Sequence, residues 1–260
     1  MVSGIKKPNR SLLLTLFSCC LFAGPLKSAD AVEQPPPPKV IFFDVNETLL
    51  KLDPLEVSVS AALNGRHDLL KLWFTTMLQH SLVETATGQY HDFGQVGAAS
   101  LMMMAEANNI VLSTDKAASA LAPIKSLPPY GDVKNGLEQL RRKGYTLIAL
   151  TNSSRDVVKQ QLKNAHLIQL FDGYLSGESV KSYKPDLRVY QFAAKSMQVP
   201  LPDTMLVAAH GWDIDGAKAA GMQAAFIARP GQTLYPLSAP PEYNVKNLIE
   251  LARVLPDKKQ

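Results

Sequence analysis

The stretch KVIFFD, residues 39–44, is a run of apolar residues that ends in a carboxylate, Asp44. An uninterrupted apolar run of this kind predicts a strand buried on both faces, as in a parallel sheet. Three more apolar runs, at residues 145–150, 205–209 and 223–227, follow segments with a helical pattern. Strands that alternate with helices of about ten to fifteen residues predict an α/β fold with a parallel sheet.

Residues 54–126 interrupt this alternation of strands and helices. Apolar residues recur at helical spacing between Leu69 and Leu78, and residues 101–105 continue a second helical pattern. Ser113 or Thr114 is placed to cap a third helix. We therefore predict that a helical cap domain is inserted after the first strand.

Two further helices are predicted in the remainder of the chain. One covers residues 133–143 and ends at Gly144, and the other covers residues 245–255 near the end of the sequence. With the cap set at residues 54–126, the core is expected to consist of residues 39–53 and 127–260.

The first thirty-one residues have the three parts of a secretory signal peptide. Basic residues come first, an apolar run covers residues 12–23, and the small residues Ala29 and Ala31 come just before the expected cleavage site, which follows Ala31. The apolar run is too short to span a membrane. We expect an exported protein, periplasmic or secreted, in which residues 32–38 form a proline-rich linker.

The charge of the expected mature chain gives little reason to predict a charged partner. The formal net charge is +4, but the chain after residue 31 carries 23 basic and 22 acidic residues. A near-neutral body does not favour nucleic acid or an anionic membrane surface. Both cysteines, Cys19 and Cys20, lie in the expected leader, so the mature chain has no cysteine for a disulfide or a metal site.

Polar side chains follow several of the predicted strands. Asp44 ends the first strand, Thr151 and Asn152 follow the second, and Asp213 lies just beyond the strand at residues 205–209. Lys184 lies in a loop between a Tyr and a Pro. Because ligands bind at the carboxyl ends of parallel strands, these groups predict a site in which a strand-end carboxylate acts as nucleophile.

Four ordered motifs resemble those of the haloacid dehalogenase superfamily, and most closely its type II, or L-2-haloacid, dehalogenase branch. They are FDVNETL (43–49), LTN (150–152), YKPD (183–186) and GWDIDGA (211–217), and the resemblance covers about residues 39–230. It implies a Rossmann-like core with a helical cap and hydrolysis through an aspartyl ester, without metal or cofactor. The implied substrate is a small 2-substituted carboxylic acid; a homodimer is left open.

The resemblance also implies roles for individual residues. Asp44 would displace halide from a 2-haloacid, and Lys184 would keep Asp44 ionised. Asp213 would position or activate water. The other implied catalytic or substrate-binding residues are Thr48 and Thr151 as hydrogen-bonding groups, Asn152 beside the halide, and Tyr190 in support.

A phosphatase of the same superfamily is the alternative within this fold. Such enzymes usually carry a second Asp two positions after the nucleophile, where this chain has Asn46, which cannot exchange a proton. They also usually carry a metal-binding Asp where this chain has Ala209, and Mg²⁺ prefers oxygen ligands. These differences favour a metal-free reaction on carbon.

The chain also departs from the dehalogenase pattern. The arginine that receives halide in that branch aligns with Phe74, and its usual serine and asparagine align with Ala208 and His210. His210 is either a substitute donor or base or, as is commoner for a single histidine in a tight turn, a structural residue. Trp73 is either a packing residue or, with Phe74, part of an apolar wall around the substrate. An exported binding protein that has lost catalysis is the third hypothesis, since fold does not fix function.

Overall fold

The strand predicted at residues 39–44 lies at the centre of the sheet in the computed structural model, which describes residues 36–258. The strands are β1 (Val40–Phe43), β2 (Thr146–Thr151), β3 (Gly173–Ser176), β4 (Thr204–Ala208), β5 (Gln223–Ile227) and β6 (Tyr243–Val245). They pair in the order β3-β2-β1-β4-β5-β6, and every pair is parallel. The predicted α/β fold is confirmed. The predicted leader and most of the predicted linker lie outside the described residues.

Alternate residues of the strands pack into two different layers. Ile41 and Phe43 of β1 belong to one hydrophobic cluster, and Val40 and Phe42 belong to the other. Side chains of a strand point to opposite faces in turn, so a strand covered on both faces must be apolar throughout. The covering helices are α5 (Val133–Arg142), α6 (Arg155–Asn164), α7 (Leu187–Ser196), α8 (Gly211–Ala220) and α9 (Leu248–Val254).

The segment between β1 and α5 is helical, as predicted. It contains α1 (Asp53–Ala62), α2 (Leu70–Thr87), α3 (Phe93–Ala107), α4 (Thr114–Ala120) and a 3₁₀ segment (Ala122–Ser126). The Ser113 hydroxyl accepts a hydrogen bond from the backbone N–H of Lys116 and so caps α4. Trp73 of α2 and Leu101 of α3 belong to the same hydrophobic cluster as Ile41, so one continuous core joins cap and sheet.

The predicted helix at residues 245–255 is wrong at its beginning. Val245 lies in edge strand β6, opposite Ile227, and α9 begins only at Leu248. The cause is the Asn247 side chain, which accepts the backbone N–H of Glu250 and caps the helix there. The short strand β3 was not predicted. Within residues 36–258, no helix is long and apolar enough to cross a membrane.

Candidate active site

Asp44 is carried by β1 to the crevice where the strand order changes direction. β1 pairs with β2 on one side and with β4 on the other, and the Asp44 backbone N–H donates to the Val207 carbonyl at 3.0 Å. Such switch points are where ligands bind in parallel sheets. Asp44 itself is only 5% exposed. Its carboxylate is therefore fixed by rigid backbone at a place suited to chemistry.

Both oxygens of the Asp44 carboxylate accept hydrogen bonds. Lys184 Nζ donates to Oδ1 at 2.8 Å, Thr48 Oγ1 donates to Oδ2 at 2.7 Å, and His210 Nδ1 lies 3.2 Å from Oδ2. Burial alone would raise the pKa of Asp44, but the charge of Lys184 and the hydrogen bond and charge of His210 hold that pKa below its usual value. Asp44 is thus ionised at neutral pH, as a nucleophile requires.

Lys184 joins two carboxylates inside the protein. Its Nζ lies 2.5 Å from Asp213 Oδ2, 2.8 Å from Asp44 Oδ1 and 3.0 Å from the Leu150 carbonyl. Burial lowers the pKa of Lys184, but the two carboxylates raise it above its usual value, so the side chain is a cation. Asn152 holds the lysine backbone through its amide, since Oδ1 accepts the Lys184 N–H at 2.7 Å.

Asp213 lies in the first turn of α8 and is completely buried. Burial raises its pKa above the usual value; Lys184 opposes that rise and the nearby Asp44 charge adds to it. The hydroxyl of Tyr190 donates to Asp213 Oδ1 at 2.6 Å, and burial raises the pKa of Tyr190 well above its usual value, so it remains a donor. Gly216 permits this contact, because a Cβ there would lie 2.5 Å from the Tyr190 hydroxyl.

His210 faces Asp44 from the opposite side. Its Nε2 lies 2.9 Å from Glu47 Oε2, and its ring stacks on Trp212 with centroids 5.0 Å apart. Burial lowers the pKa of His210, but its hydrogen bonds to Asp44 and Glu47 and the charges of both raise that pKa to about 10. His210 is therefore an imidazolium at neutral pH, and both of its ring nitrogens donate.

A small cavity opens in front of Asp44. Its other lining residues are Asn46, Phe74, Leu78, Phe93, Thr151, Asn152, His210 and Trp212. The cap thus supplies apolar side chains and the strand ends supply polar ones, which suits a small molecule with one apolar and one polar end. Phe74 lies in this wall, whereas Trp73 lines only a neighbouring cavity, which Phe74 also borders.

The chain was compared with known proteins. The family model of the haloacid dehalogenase-like hydrolases matches residues 38–221. The chain belongs to the haloacid dehalogenase-like hydrolases. (S)-2-haloacid dehalogenase 1 of Pseudomonas sp. (strain CBS-3) is 29% identical over 84% of this chain and 97% of its own length, and (S)-2-haloacid dehalogenase 4A of Burkholderia cepacia is 29% identical over 80% and 91%.

Solved structures of dehalogenases share the fold of this haloacid dehalogenase-like hydrolase. A dehalogenase with an intermediate complex has a TM-score of 0.76 at 28% identity and covers 85% of this chain and 98% of its own. The L-2-haloacid dehalogenase of Xanthobacter autotrophicus with chloropropionic acid covalently bound has a TM-score of 0.78 at 21% identity, over 83% and 97%. The predicted superfamily and its type II dehalogenase-like branch are confirmed.

The structure places nearly all predicted site residues around one carboxylate. Asp44, Lys184, Asp213, Thr48 and Tyr190 form a connected hydrogen-bond network, and Thr151, Asn152, Phe74 and His210 line the cavity beside it. Trp73 lies apart from Asp44, and its indole N–H donates to the Gly97 carbonyl at 3.0 Å.

Sequence reasoning about this hydrolase missed two supporting residues, Glu47 and Arg229. Glu47 lies in the first motif, FDVNETL, but no role was predicted for it. Arg229 is 6% exposed and donates to the Thr48 carbonyl at 2.9 and 3.1 Å, and its guanidinium also pairs with Asp132 at 2.7 Å. It therefore fixes the loop that follows β1. Its position just after β5 is the signal that could have indicated this role.

Proposed function

We propose that this haloacid dehalogenase-like hydrolase removes halide from a small (S)-2-haloacid through a covalent ester on Asp44, without a metal ion. One observation carries the proposal: a buried carboxylate is held ionised by Lys184, Thr48 and His210 and faces a small, largely apolar cavity. A desolvated carboxylate with fixed donors is suited to attack on carbon.

The proposed reaction has two steps. In the first, an Asp44 oxygen attacks C2 of the substrate, the C2–halogen bond breaks, and the halide leaves with the bonding electrons. In the second, water attacks the Asp44 carbonyl carbon, and cleavage of the acyl bond releases the 2-hydroxy acid and restores Asp44. Asp213 is suited to take the proton from that water, since its pKa is raised above the usual value.

Thr151 would hold the substrate carboxylate, and Asn152 would lie beside the halide. Thr151 and Asn152 lie at the end of β2 and line the cavity together with Phe74 and Phe93 of the cap. A 2-haloacid has a polar carboxylate and an apolar alkyl group, and this division matches the cavity wall. The relatives reported above are named as (S)-2-haloacid dehalogenases, which supports this substrate class.

The contacts of Asp44 and Asp213 favour this reaction over metal-dependent phosphate hydrolysis. Each carboxylate has an oxygen within 2.8 Å of Lys184, so an ammonium group already occupies a position that a divalent cation would need on each carboxylate. The Asn46 amide accepts from Gln161 at 2.9 Å and lies 3.3 Å from the Ser153 hydroxyl. Asn46 is thus tied to its neighbours and is not a proton donor for a leaving group.

Halide release tests the proposal directly. The protein without residues 1–31, which we propose are removed on export, is incubated with EDTA and either L- or D-2-chloropropionate. We expect chloride release from the L enantiomer, and loss of at least about a thousandfold in Asp44→Asn, as for removal of a nucleophile. Asp203→Asn, at the amino end of β4, is the matched control and should be fully active.

An isotope experiment tests the ester itself. A single turnover in H₂¹⁸O with excess enzyme should place ¹⁸O in the peptide that contains Asp44, while the first product carries unlabelled oxygen. Label in the first product and none in the peptide would mean that water attacks C2 directly. Undiminished turnover by Asp44→Asn would end the proposal.

A further inference from the structure

The two cations beside Asp44 differ in how many of their donors are already used. An ammonium group has three N–H donors, and Lys184 Nζ has three acceptors, on Asp44, Asp213 and Leu150. Lys184 is also absent from the wall of the cavity. It therefore has no donor left for a ligand.

His210 is the cation that lines the cavity. Of the described residues in the cavity wall, His210 alone can carry positive charge at neutral pH. Its Nδ1 lies 3.2 Å from Asp44 Oδ2, longer than the roughly 2.7–2.9 Å usual for a charge-assisted hydrogen bond. The donor at Nδ1 is thus loosely held and faces the space where bond cleavage would take place.

Glu47 fixes the orientation and the charge of His210. It holds Nε2 through Oε2, and its other oxygen accepts from Gln232 at 3.2 Å. Its backbone has φ of 57°, a left-handed conformation that costs a residue with a side chain about 1 kcal/mol. A strained backbone is retained where surrounding contacts over-determine it, and such residues cluster at functional sites.

The cavity also borders an outer cleft. His210, Trp212, Phe74 and Leu78 line both spaces, and the cleft also contains Lys71, Glu47 and Glu56. An anion released from C2 next to His210 would lie beside this cleft.

We propose that His210, oriented by Glu47, receives the anion that leaves when Asp44 attacks. The inference rests on the proposed function and adds a residue to it. As the ester forms, negative charge moves from Asp44 to the leaving group. The Nδ1–H of His210, which donated to the carboxylate, then donates to the new anion. Glu47 acts as a positioning residue through His210. Fluoride is the poorest leaving group and the strongest hydrogen-bond acceptor of the halides. The rate of fluoride release should therefore depend most on this donor.

A leaving-group series separates this role from a structural one. Wild type and His210→Asn are compared on 2-bromo-, 2-chloro- and 2-fluoropropionate. We expect His210→Asn to lose at least about tenfold more kcat on the fluoride than on the bromide, the size of one charge-assisted hydrogen bond. Glu47→Gln should show the same trend with a smaller loss. An equal loss on all three substrates would overturn the proposal.

The matched control is His91→Asn, which removes an exposed histidine that also pairs with a glutamate, Glu84, at 2.8 Å. It should match wild type on every substrate.

Bromide binding tests the anion site without turnover. In Asp44→Asn the competing carboxylate is absent, and Trp212, stacked on His210, reports bromide by fluorescence quenching. Saturable quenching that disappears in Asp44→Asn/His210→Asn supports the proposal. Quenching that does not saturate, or that is identical in the two proteins, overturns it. If wild type releases no halide, the proposed function fails, and this titration alone decides the anion site.

Discussion

The nucleophile Asp44 lies between two clusters that differ in burial and in tightness. The lysine side, consisting of Lys184, Asp213 and Tyr190, is buried to 1% exposure or less, and its contacts between side chains are 2.5–2.8 Å long. The histidine side, consisting of His210, Glu47 and Gln232, has contacts of 2.9–3.2 Å, and the Glu47 side chain is 23% exposed.

This difference indicates a division of labour within one site. On the lysine side all three donors of Lys184 are satisfied, so the ammonium group sets the charge of Asp44 but has no donor for a leaving group. On the histidine side a cation keeps a loosely held donor next to the cavity. The lysine side is therefore suited to making the nucleophile, and the histidine side to selecting what leaves. Variants on the two sides should behave differently.

The largest effect is expected for Lys184→Met. It leaves two buried carboxylates without their shared cation, and breaking a buried ion pair costs about 3–5 kcal/mol. We expect the free energy of unfolding to fall by that amount in a denaturant titration, and halide release to fall below detection. Lys195→Met, on the exposed face of α7, should change neither quantity. A Lys184→Met protein with most of its turnover would contradict the role given to the lysine side.

The pH dependence of stability should come from the histidine side. His210 has a folded pKa of about 10, raised by Asp44 and Glu47, against about 6.5 when unfolded. Because the folded state holds the proton more tightly, this stabilisation is fully present below pH 6.5 and is lost as pH rises through 10. Between those limits the free energy of unfolding should fall by at most about 1.4 kcal/mol per pH unit.

Denaturant titrations at several pH values between 6.5 and 10 test this slope. In His210→Asn the slope should flatten relative to wild type. Identical slopes in the two proteins would mean that His210 is not protonated in the folded state.

A smaller effect is expected for Tyr190→Phe on the lysine side. It leaves Asp213 Oδ1 without its buried donor, which costs about 1–3 kcal/mol. We expect the free energy of unfolding to fall by that amount. We expect kcat to fall roughly tenfold, less than the ~10²–10⁴-fold for loss of an acid–base group itself, and by the same factor on all halides. Tyr235→Phe, on an exposed tyrosine, should leave both quantities unchanged. A loss of kcat that differs between the halides would contradict the distinction between the two sides.

The lysine side could be predicted because Asp213 lies just beyond a strand, Lys184 belongs to one of the four motifs, and the family resemblance implies Tyr190. β1, β2, β4 and β5 are buried on both faces, so their apolar runs are unbroken, and the polar residue after each run marks the crevice. β3 and β6 are short edge strands: β3 is only partly buried except at Ser176, and β6 reaches full burial only at Val245. Their sequences therefore show no such run, and a helix was wrongly predicted to begin at Val245.

The histidine side could not be predicted in the same way. Glu47 and His210 lie 163 residues apart, and no regular spacing connects them. Glu47 makes this contact from a left-handed backbone, which residue propensities predict for glycine rather than glutamate. Sequence reasoning singled out His210 because it departs from the dehalogenase pattern, but its partner became visible only in three dimensions.

The smallest effect concerns the backbone strain at Glu47. Glu47→Gln and Glu47→Gly both remove the charge that faces His210, but only glycine relieves the left-handed conformation. The glycine variant should therefore be more stable to denaturant than the glutamine variant by about 1 kcal/mol. The two should share one halide preference, because both lack the carboxylate that holds His210. If glutamine proves as stable as glycine, the turn at Glu47 is not strained, and the contact with His210 is then a result of the turn and not the reason the turn is retained.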